Sequence, residues 1–344
     1  MIHTFQKILC IFSPLYWCIT YLRNKAYDKG YIASIECKIP TICVGNITVG
    51  GTGKTPHVEY ICNLLQNSMH IAILSRGYKR KTKGYILASN NTYVDEIGDE
   101  PYFLYKKLER TTVAVCENRV VGVTQLLYDK PTIQAIILDD AFQHRALRAG
   151  LNIVLIDYNR PIWKDCVFPG GMLREGRYAL NRAHCIIVTK CPATISLEEQ
   201  NMWKTKLRCT HQDVFFTKIV YRTIYEAETK EHKEIPTILS SKHILLITGI
   251  AQPKPMYDFI SEYCKNITHL NFADHHIYTK EDYDVILQNY KTYRTTIVTT
   301  EKDAPKILEI TRKQLPVFVL SIDIEFLNNT EPEFQNKIVD FVSQ

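Results

Sequence analysis

The 344-residue chain lacks the patterns that mark several common classes of protein. Its 11 cysteines form no C-x-x-C pair and several lie in apolar runs, which favours reduced, buried thiols in a cytosolic protein over a disulfide framework or a zinc site. No basic run is interleaved with aromatic residues, so we expect no nucleic-acid partner. Internal repeats and low-complexity segments are also absent, which indicates an ordinary globular chain.

Long apolar runs are scarce at the N-terminus as well. The apolar stretch at residues 8–22 is shorter than the about 20 residues that span a bilayer, and Pro14 interrupts it. No small-residue cleavage site follows, which argues against a signal peptide. Because aromatic residues lie in the stretch and Arg23, Lys25 and Lys29 follow it, we expect an interfacial helix on an anionic membrane within residues 1–30. A helix packed on the domain is the alternative.

What is present fits an enzyme with a substantial core. The length suggests two domains, and 46% hydrophobic residues with a net charge of +6 suit a globular chain with an anionic ligand or membrane partner. Continuous apolar runs alternate with helical patterns, which predicts a doubly wound parallel α/β sheet like that of P-loop NTPases. We expect a P-loop kinase domain at residues 31–210 and a smaller α/β lobe at residues 211–344.

A glycine-rich turn follows the apolar run at residues 39–44, and a helical pattern begins after it. Glycines let backbone N–H groups turn onto phosphate oxygens, and the helix dipole adds positive potential. The spacing departs from G-x-x-x-x-G-K-[ST] only in having threonine at the first position. The predicted nucleotide-binding residues, here called the phosphate loop, are Thr48, Val49, Gly50, Gly51, Thr52, Gly53, Lys54 and Thr55.

Two adjacent acids follow another apolar run at residues 133–138. Asp139 and Asp140 would lie at the carboxyl end of a strand, where ligands bind in open α/β sheets. Phosphoryl transfer requires a carboxylate to hold the metal ion. We therefore expect Asp139, Asp140 and Thr55 to bind Mg²⁺, with a solvated turn as the alternative reading of the two acids.

The candidates for proton transfer are an aspartate and a histidine pair. Asp99 precedes a predicted helix, so it is either a general base or an N-cap. His275 and His276 could orient or relay a proton from an aspartate, or form part of a metal site with Asp274. With Lys54, Asp139 and Asp140, these residues make up the predicted catalytic set.

Three arginines are predicted at the same edge of the sheet. Arg76, Arg119 and Arg174 each follow a strand or lie in a loop, and arginine forks match phosphate oxygens. Each alone is typical of a surface cation, so only the group suggests an anionic substrate.

These motifs together resemble the tetraacyldisaccharide 4′-kinases, the lipid kinases of lipid A biosynthesis. The resemblance covers nearly the whole chain, and Ala141 departs from it where the family commonly has glycine. The residues that carry it are 45–56, Ser75-Arg76-Gly77-Tyr78, Gly98-Asp99-Glu100-Pro101, Asp139-Asp140-Ala141-Phe142-Gln143-His144, Leu173-Arg174-Glu175, Asp274-His275-His276-Ile277-Tyr278 and Thr300-Glu301-Lys302-Asp303.

The resemblance implies ATP-dependent phosphorylation of the 4′-hydroxyl of a tetraacyldisaccharide 1-phosphate, which yields lipid IVA. It also implies Mg²⁺, an N-terminal membrane-docking helix, a site between two lobes, and a monomer at the cytoplasmic face of the bacterial inner membrane. Asp99 would be the base, partnered by His275 or His276. The expected substrate-binding residues are Arg76, Arg119, Gln143, His144, Arg174 and Glu175.

Two other classes of protein share a phosphate loop. A GTPase that serves as a switch or metallochaperone would need an acid to recognise guanine, but Pro192 stands where the motif N/T-K-x-D places that acid. A soluble small-molecule kinase would leave the apolar N-terminus without a role.

Overall fold

The structure, a computed structural model, describes residues 10–274, 276–312 and 314–344. Residues 1–9 of the predicted N-terminal segment and the candidate His275 lie outside the described residues. The chain divides into two compact units. The first unit contains the chain up to Ile219 together with Ile324–Gln344, and the second unit is Val220–Asp323.

Strands and helices alternate through the first part of the chain. The helices are α1 Ser13–Asp28, α2 Lys54–Leu65, α3 Val94–Ile97, α4 Asp99–Lys107, α5 Arg119–Asp129 and α6 Leu197–Leu207. The strands are β1 Ile35–Glu36, β2 Thr41–Asn46, β3 Ile71–Ser75, β4 Ile86–Leu87, β5 Thr112–Val115, β6 Ala135–Asp139, β7 Leu147–Arg148, β8 Leu151–Asp157 and β9 Cys185–Thr189. Short 3₁₀ helices lie at Cys10–Phe12, Ile162–Lys164 and Arg177–Arg182.

Two long strands, β10 Asp213–Glu226 and β15 Val317–Phe326, contribute residues to both units. The elements between them are β11 His232–Lys233, α7 Ile235–Leu239, β12 Ile244–Thr248, α8 Lys254–Tyr263, β13 Ile267–Asn271, α9 Lys280–Tyr293, β14 Thr296–Thr299 and α10 Ala304–Thr311. A 3₁₀ helix at Leu327–Asn329 and helix α11 Glu331–Val342 follow β15.

The main sheet of the first unit has the strand order β10-β9-β8-β2-β6-β3-β5-β4. Its strands are parallel except for the edge strand β4, which is antiparallel to β5. Alternate residues of β2 enter different cores: Ile42 and Val44 pack in one cluster and Cys43 in the other. Both faces of the sheet are therefore covered, which confirms the predicted doubly wound α/β fold.

The sheet order brings several loops to one edge. Strand β2 lies between β6 and β8, and β9 follows β8, all in parallel. Their carboxyl ends are Asn46, Asp139, Asp157 and Thr189, so the residues that follow them emerge at the same edge. This is the edge at which open α/β sheets bind ligands.

The second unit has its own parallel sheet in the order β13-β12-β14-β15. Leu245 and Ile247 of β12 pack in one apolar cluster, and Ile244 and Leu246 pack in another. Helices therefore cover both of its faces as well. The expected α/β content of this lobe is present.

The C-terminal helix belongs to a different unit from the one to which the sequence assigned it. The sequence assigned residues 211–344 to one lobe, whereas Ile324–Gln344 groups with the first unit. The cause is apolar packing, since Phe334 and Ile338 of α11 are buried in the same cluster as Val58 and Ile61 of α2.

This packing predicts a large stability cost at Phe334. Its ring is 1% exposed and lies 4.8 Å from Phe326 and 5.3 Å from Phe215 between ring centroids. Phe334→Ala should lower the free energy of unfolding by about 3–5 kcal/mol, because it leaves a cavity in the core. Val339→Ala, at a position on α11 that is 41% exposed, is the control and should stay within about 0.5 kcal/mol. Chemical denaturation measures both, and a Phe334→Ala protein as stable as wild type would contradict the assignment of α11 to this core.

Candidate active site

The phosphate loop connects β2 to α2 and includes the first two residues of that helix. Gly53 is the N-cap of α2 with φ of 84°, a left-handed conformation that glycine adopts readily. Lys54 and Thr55 therefore lie in the first helical turn, and the glycines Gly50 and Gly51 are exposed before it. The order strand, glycine-rich turn and helix N-terminus matches the sequence prediction, and it forms an anion-binding geometry.

The first half of the loop is tied to the segment that carries Arg174. Thr48, which is 4% exposed, forms a β-bridge with Leu173. The Val49 N–H donates to the Met172 carbonyl at 2.7 Å, and the Arg174 N–H donates to the Ile47 carbonyl at 2.7 Å. Thr48 is therefore buried beside the segment of Arg174, at the position where the general motif has glycine.

The carboxylate of Asp140 contacts two cations in the site. Its Oδ1 lies 3.6 Å from Lys54 Nζ and accepts a hydrogen bond from Arg174 Nη1 at 2.9 Å. Burial alone would raise the pKa of Asp140, but Lys54 and Arg174 outweigh it and hold that pKa below its usual value. Asp140 is therefore ionised at neutral pH. The structure brings together three residues that the sequence placed more than thirty positions apart along the chain.

Asp139 is the buried neighbour of this pair. Its side-chain Oδ2 accepts a hydrogen bond from Ser75 Oγ at 3.0 Å, while its Oδ1 has no hydrogen-bond partner among the residues that the structure describes. Burial, followed by the charges of Glu100 and Asp140, raises the pKa of Asp139 to about 6. A buried carboxylate oxygen with an open lone pair suits a bound cation.

The structure corrects the expected role of Arg119. Its side chain is 2% exposed and its guanidinium donates to backbone carbonyls, at 3.0 Å to Cys116 and 3.1 Å to Asp139. The burial of Arg119 removes it from the surface on which a substrate would bind. Arg119 instead holds the backbone on which the two aspartates stand.

Gln143 and His144 also bind backbone groups. Gln143 Nε2 donates to the Asn46 carbonyl at 2.8 Å, and its Oε1 accepts from Arg174 at 3.3 Å. His144 Nε2 accepts the Arg119 N–H at 3.2 Å, and burial, with the nearby positive charge of Arg119, lowers its pKa. Both side chains lie beside the site and hold its backbone in place through these hydrogen bonds.

Glu175 is likewise buried, at 2% exposure. Its Oε2 accepts hydrogen bonds from Arg182 at 2.6 Å and from Asn24 of α1 at 3.1 Å. This arrangement makes Glu175 a link between α1 and the segment of Arg174, a contact that differs from the expected substrate role. Arg76, in contrast, is exposed. Burial is the main cause that lowers the pKa of Arg119 and of His144, and the positive charge of Arg76 adds to both shifts, so Arg76 lies near them.

The position of Asp99 resolves one open alternative. Gly98 is the residue before α4, with φ of 89°, and a Cβ there would lie 2.7 Å from the Tyr78 carbonyl. Asp99 is the first residue of the helix and is not its N-cap. The close approach of Gly98 to Tyr78 joins Asp99 to the loop that follows β3. The alternative reading of Asp99 as an N-cap is therefore wrong.

His276 has a defined partner within the second unit. Its Nε2 lies 2.9 Å from Oδ2 of Asp282, and its ring stacks on Phe272 at 4.5 Å between centroids. Asp282 also accepts the Thr279 N–H in a capping box at the start of α9. Within residues 10–274, 276–312 and 314–344, no group of three or more His, Cys, Asp or Glu side chains has the arrangement of a metal site.

Sequence reasoning missed a second group of charges on the phosphate loop. Lys190 Nζ donates to the Gly51 carbonyl at 2.6 Å, and Arg160 Nη1 donates to the Val49 carbonyl at 3.3 Å. Both cations contact the buried Asp157, Lys190 at 3.0 Å and Arg160 at 3.5 Å. The feature of the sequence that could have indicated this group is its position at strand ends: Asp157 ends β8, and Lys190 directly follows β9 at the same sheet edge.

Helix α1 presents its apolar side chains outward. Its buried residues are Ser13 and Asn24, whereas Leu15, Ile19 and Leu22 are 58–65% exposed. Ser13 donates to the Val167 carbonyl at 2.9 Å and the Tyr16 ring packs edge-on against Phe168, so the side that carries Ser13, Tyr16 and Asn24 faces the rest of the first unit. Among the described helices, none is long and apolar enough to cross a membrane.

Comparisons with known proteins identify the family of the chain. A family model described as LpxK, tetraacyldisaccharide-1-P 4′-kinase, matches residues 5–343. A protein of Bacteroides thetaiotaomicron named tetraacyldisaccharide 4′-kinase is 39% identical, with 98% of this chain and 94% of that protein covered. One of the same name from Flavobacterium psychrophilum is 42% identical, with 98% and 97% covered.

The chain is also similar to a solved structure. The crystal structure of LpxK from Aquifex aeolicus in complex with ATP is 27% identical, covers 98% of this chain and 99% of that one, and superposes with a TM-score of 0.77. The similarity spans both units. The family match over almost the full length and the agreement of the fold lead to one conclusion: the chain belongs to the tetraacyldisaccharide-1-phosphate 4′-kinase family.

Proposed function

We propose that this protein transfers the γ-phosphate of ATP to the 4′-hydroxyl of a tetraacylated glucosamine disaccharide 1-phosphate, which yields lipid IVA. The observation that carries the proposal is the contact of Lys54 with Asp140 beside the buried Asp139, at a helix N-terminus built for phosphate. The family supplies the identity of the acceptor, since all the matched relatives named above are lipid kinases of this type.

ATP would bind with its β- and γ-phosphates on the phosphate loop. The loop amides and Lys54 supply the positive field, and Lys54 exchanges its contact with Asp140 for a phosphate oxygen. Thr55 stands beside Lys54 in the first turn of α2, where its hydroxyl can ligate a metal ion.

The residues present suit Mg²⁺. Asp139 has a buried oxygen open to a ligand, and Asp140 and Thr55 lie at the same strand and helix ends. Bound Mg²⁺ would neutralise charge on the β- and γ-phosphate oxygens. Burial and then the neighbouring acids raise the pKa of Asp139, and a bound cation would favour its ionised form.

Proton transfer would fall to Asp99. As the 4′-hydroxyl oxygen bonds to the γ-phosphorus, the hydroxyl proton passes to the Asp99 carboxylate and the bond to the ADP oxygen breaks. We assign a histidine of residues 275–276 as the partner of Asp99 on the family resemblance. Arg174 and the exposed Arg76 would neutralise the phosphate groups of the acceptor or of ATP.

The outward apolar side of α1 supports binding to a membrane surface. A monomeric chain would lie on the cytoplasmic face of the bacterial inner membrane, with Leu15, Ile19 and Leu22 among the acyl chains and nearby lysines and arginines at the anionic headgroups. An acceptor with four acyl chains resides in that membrane, so the helix would deliver the site to its substrate.

The first prediction tests the phosphate site. Lys54→Met should lower kcat by on the order of 10²-fold or more, because it removes a fixed charge from the transferring phosphate. Lys206→Met, on the exposed side of α6, is the matched control and should keep wild-type turnover. Label transfer from [γ-³²P]ATP to a lipid disaccharide acceptor measures both. Normal turnover by a folded Lys54→Met protein would refute the assignment of the phosphate loop.

The second prediction tests Asp99 as the base. Asp99→Asn and Asp99→Ala should both lower kcat by about 10²–10⁴-fold with ATP affinity retained, since neither side chain accepts the proton. Because Gly98 rather than Asp99 is the N-cap, both variants lose the favourable charge of Asp99 in the first turn, worth about 0.3–1 kcal/mol, so they should melt at similar temperatures to each other. Asp95→Asn, on the exposed surface of α3, serves as the control. Wild-type turnover by Asp99→Asn would mean that the base is another group.

The third prediction concerns α1. Leu15→Glu with Ile19→Glu should weaken co-sedimentation with anionic vesicles about tenfold or more, because charge then replaces apolar surface on the outward side. Turnover of a short-chain acceptor in detergent should change little, since the inward contacts of Ser13 and Asn24 are kept. Leu197→Glu, an exposed apolar position on α6, controls for added charge. Unchanged vesicle binding by the double variant would place the membrane contact elsewhere.

A further inference from the structure

The carbonyl oxygens of the phosphate loop share an unusual feature. From residue 49 to residue 53, each one lies within hydrogen-bond distance of a side-chain donor. In loop order the donors are Arg160 Nη1 at 3.3 Å, Asn46 Nδ2 at 3.5 Å, Lys190 Nζ at 2.6 Å, Thr189 Oγ1 at 2.8 Å and His57 Nδ1 at 2.8 Å.

The positions of these carbonyl oxygens also fix the directions of the backbone N–H groups that follow them. In a planar trans peptide the C=O of one residue points opposite to the N–H of the next. Holding the carbonyl oxygens of residues 49–53 on donors therefore directs the N–H groups of residues 50–54 to the other side. Successive N–H groups that converge in this way bind phosphate oxygens.

Two of the donors are cations fixed by one buried carboxylate. The Asp157 side chain is 1% exposed, and its Oδ2 lies 3.0 Å from Lys190 Nζ and 3.5 Å from Arg160 Nε. Arg160 Nη2 also reaches the Gly51 carbonyl at 3.5 Å, the oxygen that Lys190 binds. Asp157 therefore sets the position of both cations against the loop.

His57 acts as a neutral donor at the end of the loop. Its imidazole is 3% exposed, and burial lowers its pKa to about 4. Because the Gly53 carbonyl can only accept, Nδ1 carries the proton and Nε2 accepts from the Thr217 hydroxyl at 3.1 Å. The loop is thus held at this end without an added charge.

We propose that Asp157, Lys190 and Arg160 are positioning residues for ATP, which hold the loop carbonyls away from the triphosphate so that the amides face it. The inference deepens the proposed function and rests on ATP being its phosphate donor. Preorganised amides need no rearrangement when the nucleotide binds, which favours both affinity and transfer. The recognised chemical group is the phosphate chain of a nucleoside triphosphate.

The test removes each cation without adding bulk. Lys190→Met and Arg160→Met should each weaken binding of a non-hydrolysable ATP analogue about tenfold, in line with the loss of a charged hydrogen bond. Inorganic tripolyphosphate, used as a competitor of the ATP analogue, should also bind about tenfold more weakly to these variants. Adenosine should bind to them as tightly as to wild type. Lys190→Arg keeps the charge and should restore most of the affinity, and Lys206→Met is the control.

Steady-state kinetics separate positioning from general stability. The KM for ATP should rise about tenfold in both variants, while the KM for the lipid acceptor stays at the wild-type value. Arg160 is 34% exposed at its side chain, so Arg160→Met should fold even if Lys190→Met does not. An unchanged affinity for tripolyphosphate in Arg160→Met, with or without a lower melting temperature, would overturn the proposal.

Two further outcomes would decide between the positioning role and its alternatives. Equal weakening of adenosine and ATP would assign the cations to the base and overturn the positioning role. Wild-type protein that binds the ATP analogue but does not phosphorylate the lipid would refute the proposed acceptor, while the binding comparison would still test the loop.

Discussion

The contact between Lys54 and Asp140 is the interaction on which the site depends. It joins the helix that follows β2 to the end of β6, and the two strands are neighbours in the sheet. Strand β6 ends at the buried Asp139, and Asp140 follows it with a φ of 48°, a left-handed conformation that places its carboxylate beside Lys54. Asp139 then keeps one buried oxygen without a hydrogen-bond partner among the described residues, while Asp140 balances the charges of Lys54 and Arg174.

The same charges reach the N-terminal helix. Arg174 bonds Asp140 with its guanidinium, and its backbone carbonyl accepts the Tyr16 hydroxyl at 3.2 Å. Glu175, the next residue, accepts from Asn24. The side of α1 that carries Tyr16 and Asn24 is thus part of the framework around the site, and the aliphatic side chains on its other side are exposed. A deletion of α1 would remove these inward contacts together with the exposed aliphatic side, whereas substitutions confined to the outer side leave the inward contacts in place.

Local patterns explain what could be predicted. The bounds of α2, the ends of β6 and β9, and the capping box of α9 follow from glycine, apolar runs and cap residues close together in the chain. Burial of Arg119 could not be inferred, because an arginine after a strand has the same sequence pattern on the surface and in the interior. The packing of α11 on α2 likewise depends on contacts between residues almost 300 positions apart.

The charges behind the phosphate loop illustrate the same limit. In the sequence, Lys190 belongs to the run Thr189-Lys190-Cys191-Pro192, in which a proline stands where a guanine-binding motif has an acid. Its contact with Gly51 depends on β8 and β9 lying in order beside β2, a fact of sheet topology that no local motif contains. The role of Asp157 could not be predicted without the sheet order either, because that role comes from its ion pairs with Lys190 and Arg160.

The position of the transferred phosphate tests the central claim most directly. After incubation with ATP, Mg²⁺ and a tetraacyldisaccharide 1-phosphate, two-dimensional ¹H–³¹P NMR of the extracted lipid shows which proton couples to the new phosphorus. The account predicts a new phosphomonoester coupled to the 4′ proton of the distal glucosamine, with the original 1-phosphate signal unchanged. A phosphate on the 6′ carbon, a pyrophosphate at position 1, or release of inorganic phosphate without lipid product would contradict it.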